Sequence, residues 1–163
     1  MEISSISNFF AYVPTDWIII VALAVIASFD AIRSGMGRQV ALALSLPVAL
    51  LFSTSLQSAK FLSGILPQIG TPILKAAFFG VLFVVAYFLI RRMTESYGSG
   101  SGAVIQAVVA GVATTAIIVI IWLQVPELQA IWNFGPQVQA VFAEAYRFWW
   151  LLGSYVALAF VRG

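Results

Sequence analysis

The groups in this sequence that could do acid–base or nucleophilic chemistry are few. The 163 residues hold six carboxylates and eight Lys or Arg, with no His and no Cys. The absence of His and Cys removes imidazole catalysis, thiolate nucleophiles and disulfides. It also removes haem ligation by either residue and makes zinc improbable. Asp16 and Asp30 flank one apolar stretch, and a helical rise puts them about 21 Å apart, too far to work as an acid–base pair. Lys60 follows a serine-rich run, Ser53-Thr54-Ser55-Leu56-Gln57-Ser58. A lysine can activate a serine, but no spacing here singles out a dyad. Gly98-Ser99-Gly100-Ser101-Gly102 lacks the Lys of a phosphate-binding loop, and no Gly-x-Ser-x-Gly elbow is present. These residues predict no enzyme, no cofactor and no metal.

The elements that carry these residues are those of a membrane protein. Hydrophobic residues make up 62% of the chain, against roughly 45–50% in soluble domains. Charged residues make up 9%, against roughly 25%, and mean hydropathy is +1.03. Fourteen charges cannot coat a soluble globule of this size. A soluble enzyme, a disordered tail and a nucleic-acid binder are excluded, and an all-α polytopic membrane protein is expected.

Four spans are predicted, over 15–33, 38–57, 72–90 and 103–125. Thr15 is expected to cap the first, with Asp16 in its first turn where the helix dipole favours a carboxylate. The residues before it carry Glu2 and no Lys or Arg, unlike a cleavable signal peptide. Pro47 interrupts the second span and frees a carbonyl. Residues 61–71, broken by Gly64, Pro67 and Gly70, read as an interfacial or re-entrant piece. Residues 137–161 read as an amphipathic C-terminal helix lying in the interface, with a short fifth crossing as the alternative. Its polar face would hold Gln137, Glu144 and Arg147, with Glu144 and Arg147 paired. Its apolar face would hold Val138, Val141, Phe142, Ala145, Phe148, Trp149 and Leu152. Arg33, Arg38, Arg91 and Arg92 fall on one side of four spans, Lys60 and Lys75 on the other. The arginine side is then cytoplasmic and the N-terminus outside. Lys75 is expected to snorkel to the interface.

A few positions stand out. Asp30 is expected to pair with Arg33 one turn on, with Arg38 as a further cytoplasmic anchor. The alternative has Asp30 and Arg38 guarding a cytoplasmic mouth or meeting a partner. Ala103, Ala107, Gly111 and Thr115 recur every fourth residue, and Ala110 and Thr114 repeat that offset. Such a face suits close helix approach within one chain, self-association, or a narrow pore lining. Gln106 needs a hydrogen-bond partner in hydrocarbon or faces water.

Asp16-Trp17-Ile18-Ile19 opens the first span and Ser34-Gly35-Met36-Gly37-Arg38-Gln39-Val40 opens the second. A Gly/Ser-rich loop then leads to a small-residue fourth span and an aromatic terminal helix. In this order the chain, from about Asp16 to Trp150, resembles the colicin V production protein family of bacterial inner-membrane proteins. Gly35 and Arg38 match its motif at the second span's entry. Ser34 and Gln39 depart from its Arg and Glu, Gly102 from its Asp, and Gln106, Ala110 and Thr114 from its glycines. The resemblance implies a four-span inner-membrane protein tied to colicin V export and envelope homeostasis, with no catalytic residues to transfer. The expected partners are the lipid bilayer and other membrane proteins or further copies of the chain. The expected role is a small assembly or accessory subunit. A homo-oligomeric pore is the alternative, motivated by the second span kinked at Pro47, the broken 61–71 segment and the polar run Ser53–Ser58.

Overall fold

The computed structural model describes residues 14–57, 71–94 and 104–161. Among them every regular element is a helix. In sequence order these are α1 (Thr15–Ser34), α2 (Met36–Gln57), α3 (Pro72–Thr94) and α4 (Val104–Gln124). The short α5 (Pro126–Gln129) and α6 (Pro136–Val141) and the longer α7 (Glu144–Val161) follow. The first four are long and apolar enough to cross a membrane. A backbone in hydrocarbon must bond itself, so apolar runs of this length become helices. The expected segment over 61–71 and Lys60 lie outside the described residues, apart from Thr71.

The helix ends follow local chemistry. Gly35 closes α1 with φ at 82°, and its N–H donates to the Ala31 carbonyl at 3.1 Å. An L side chain resists that left-handed backbone, and glycine adopts it freely. The α1 N-cap is Pro14, which offers no side-chain acceptor, rather than Thr15. α3 runs to Thr94, four residues beyond expectation, because Arg91 and Arg92 suit the negative end of its dipole. Proline opens both α5 and α6, where a missing N–H costs nothing.

α4 is the central helix. α1, α2 and α7 all pack against it, and α3 packs on the outside of α2. Ala41, Ala43, Ala49, Ala86, Ala107 and Ala110 are fully buried in these contacts. The outer surface is apolar, with Ile26, Phe29, Val81 and Phe88 among its exposed side chains. Small residues inside and large apolar residues outside are the arrangement expected in lipid, where close backbone approach drives helix association.

The C-terminal third departs from one continuous amphipathic helix. Phe142 leaves helical geometry, at φ −101° and ψ 34°, and splits the segment into α6 and α7. The break turns α7, so Leu151, Ser154, Tyr155 and Leu158 face the bundle. Phe148, Trp149 and Leu152, on the expected apolar face, are exposed at the outside of the bundle. Arg147 donates from Nε to the Phe142 carbonyl at the break, 3.1 Å away, instead of pairing with Glu144. α7 packs against α4, and Val108 to Ala116 of α4 line a common groove with Trp150 to Ala157 of α7. By length and composition α7 is not among the four helices able to cross a membrane.

One contact of α7 repairs a defect in α2. Pro47 has no N–H to give the carbonyl of Ala43, four residues earlier. The Tyr155 hydroxyl donates to that carbonyl at 3.0 Å. Tyr155→Phe is therefore expected to cost about 1 kcal/mol. In a Pro47→Ala background, residue 47 regains its N–H and Tyr155→Phe should cost almost nothing. A double-mutant cycle of thermal unfolding in detergent measures this coupling. Equal costs in the two backgrounds would show that Tyr155 does not serve the freed carbonyl.

Candidate functional site

The densest polar cluster is the corner between α1 and α2. With Gly35 alone linking the helices, the first turn of α2 folds back along the last turns of α1. Gln39 thereby becomes fully buried against α1. Its Nε2 donates to the Ala27 carbonyl at 3.0 Å and to Asp30 Oδ2 at 2.9 Å. The other oxygen of Asp30 is held by Arg38 at 3.1 Å, as an ion pair, and by the Ser34 hydroxyl at 3.1 Å. Arg38 also donates to Ser34 Oγ at 3.0 Å.

The expected Asp30–Arg33 pair does not form, and Arg33 is exposed. Asp30 points toward α2, where Ser34, Arg38 and Gln39 converge, and Arg33 lies off that face. Both carboxylate oxygens are engaged, so the corner acts as a polar staple between α1 and α2. Among its polar atoms Gln39 Oε1 is buried without a partner.

The small-residue face of α4 is used inside the chain. Ala107, Ala110, Gly111, Thr114 and Thr115 are all buried. Gly111 meets the backbone of Ser28 on α1. The flanking hydroxyls bond their own helices, Ser28 to the Ala24 carbonyl at 2.7 Å and Thr115 to the Gly111 carbonyl at 2.9 Å. Of the three uses considered for this face, packing within one chain is the one seen here, with Gly111 against α1. Ala103 lies outside the described residues. Gln106 is half-buried near the start of α4 and is engaged by a neighbour.

A second polar cluster sits at the opposite end of α1. Asp16 accepts from the Gly135 amide at 2.6 Å and from Trp132 Nε1 at 3.2 Å. Trp122 Nε1 donates to the Trp132 carbonyl at 2.9 Å, and its ring meets Phe134 edge-on. These contacts tie the connection after α4 to the start of α1. The first-turn position of Asp16 is legible in the sequence, but its partners are not.

The two ends of the bundle therefore differ. All five tryptophans, 17, 122, 132, 149 and 150, gather at the end where α1 begins and α4 finishes. Arg33, Arg38, Arg91 and Arg92 gather at the other. Among the described residues no three His, Cys, Asp or Glu side chains stand close enough to hold a metal.

Fold and composition together define a helical, multi-pass membrane protein. No family model, curated protein or solved structure matches the chain.

Proposed function

We propose that the chain is a non-enzymatic assembly or accessory subunit of the bacterial inner membrane, acting in envelope or export processes. The observation that carries this reading is the use made of its chemistry-bearing groups. Asp16, Asp30, Arg38 and Gln39 each hold one helix or connection to another. α4 occupies the axis, where a water path through a single copy would have to run. What remains on the outside is apolar surface for lipid and protein neighbours. The resemblance to the colicin V production family supports the same cellular setting. The arginine-rich end suits the cytoplasm, which leaves the tryptophan-rich end at the outer interface. The N-terminus is then outside.

Native mass spectrometry of the protein, extracted gently from its own membrane, tests the assembly role. The expected result is a defined complex with other membrane proteins. A bare monomer, under conditions that keep other complexes intact, would overturn it. A homo-oligomer conducting solute in liposomes would replace it with the pore reading.

A further inference from the structure

α4 and α7 leave a groove of about 330 Å³ on the outside of the bundle. Ala113, Ala116, Gly153 and Ala157 form its floor, and Val108 and Val112 its wall. A Cβ at Gly153 would meet nothing within 4 Å, so the floor is open. Ser154, only 6% exposed, also lines it, and its hydroxyl makes no hydrogen bond among the described residues. From Val108 to Ala116 the groove is about 12 Å long. Its lining is almost wholly apolar, which suits a single hydrocarbon chain.

The register of α7 indicates the rest of the ligand. Arg147, Trp150, Ser154 and Ala157 fall at i, i+3, i+7 and i+10, on one helix face. Trp150 closes the groove at the tryptophan end, where an indole suits the lipid interface. One turn beyond it, Arg147 has given one of its five donors to the Phe142 carbonyl. It makes no ion pair among the described residues. A half-buried cation thus stands one helical turn beyond an apolar trough.

We propose that this face binds one anionic phospholipid, its phosphate on Arg147 and one acyl chain in the trough between α4 and α7. Trough walls touch the chain on several sides, which ordinary bilayer lipid does not offer. The site rests on α4 and α7 lying in the bilayer and not on the assembly role. A lipid adduct and a protein partner also give separate masses, so the two ideas fail separately.

The test is native mass spectrometry of the delipidated full chain, titrated with phosphatidylglycerol or phosphatidylcholine. One phosphatidylglycerol per chain should be retained, in preference to phosphatidylcholine. Arg147→Gln should weaken that retention about fivefold. Gly153→Leu, which fills the trough, should abolish it, while Val81→Leu on the exposed face of α3 should not. Ala157→Leu serves should Gly153→Leu fail to fold. Retention unchanged by Arg147→Gln and by the filling variants would reduce the groove to ordinary bilayer lipid and overturn the proposal. So would a dimer that the filling variants dissociate, because a second copy would then occupy the groove.

Discussion

Gly111→Leu is expected to disrupt the bundle more than any other single substitution considered for this chain. A Cβ at residue 111 would lie 2.5 Å from the Ser28 backbone nitrogen and 2.8 Å from its Cα. Those atoms belong to a helix backbone and cannot rotate aside, so α1 as a whole must move off α4. α1 packs more extensively on α4 than on any other helix and is tied at both ends through Asp16 and Asp30, so that displacement disturbs many contacts. The expected loss is about 3 kcal/mol for leucine and about 2 kcal/mol for alanine. Helix propensity opposes this trend, since alanine is favoured over glycine by about 1 kcal/mol inside a helix. Gly80 is the control, because a Cβ there meets nothing within 4 Å. Gly80→Ala should be neutral or stabilising while Gly111→Ala destabilises, read by thermal unfolding in detergent. Equal effects at the two glycines would refute the close approach of α1 and α4.

Asp16→Ala is expected to have the next largest effect, about 2 kcal/mol, and a local one. It removes an ionised acceptor from the Gly135 amide and from the Trp132 indole, and such bonds are worth about 1.5–3 kcal/mol. The connection between α4 and α7 would lose its tie to α1. Hydrogen exchange at the Gly135 amide should then accelerate about thirtyfold. Asp16→Asn keeps an acceptor oxygen and should show a smaller increase. An amide exchanging at the wild-type rate in Asp16→Ala would mean that the tie carries no stability.

Both predictions concern contacts across long stretches of chain, and such contacts are where reading the sequence stops short. Small residues at four-residue spacing mark α4 as able to approach a neighbour closely. Nothing in that spacing chooses α1 over a second copy, because the same face serves either. Pro47 announces an orphaned carbonyl at Ala43, but Tyr155 lies 112 residues away and nothing local names it as donor. Asp30 beside Arg33 is the obvious helical pair, yet Arg38 and Gln39 across a one-residue turn take both carboxylate oxygens. Gln39 stands out in the sequence only as a departure from a family pattern. Its burial appears once α2 has folded back on α1.

What the sequence by itself determined is the membrane class, the four long apolar helices and most of their ends. These are local properties. Apolar length sets the span, hydrocarbon forces every backbone group into a helix, and Gly35, Pro72 and Pro126 mark where helices stop or start. Tertiary structure alone decided which face of each helix meets which neighbour, where the C-terminal segment breaks, and how α7 lies along α4. Helices that are apolar all round carry no stripe separating a lipid face from a protein face. The choice falls to close backbone approach and to a few hydrogen bonds between residues far apart in the chain. Asp16 and Gly135 are 119 residues apart and meet at 2.6 Å.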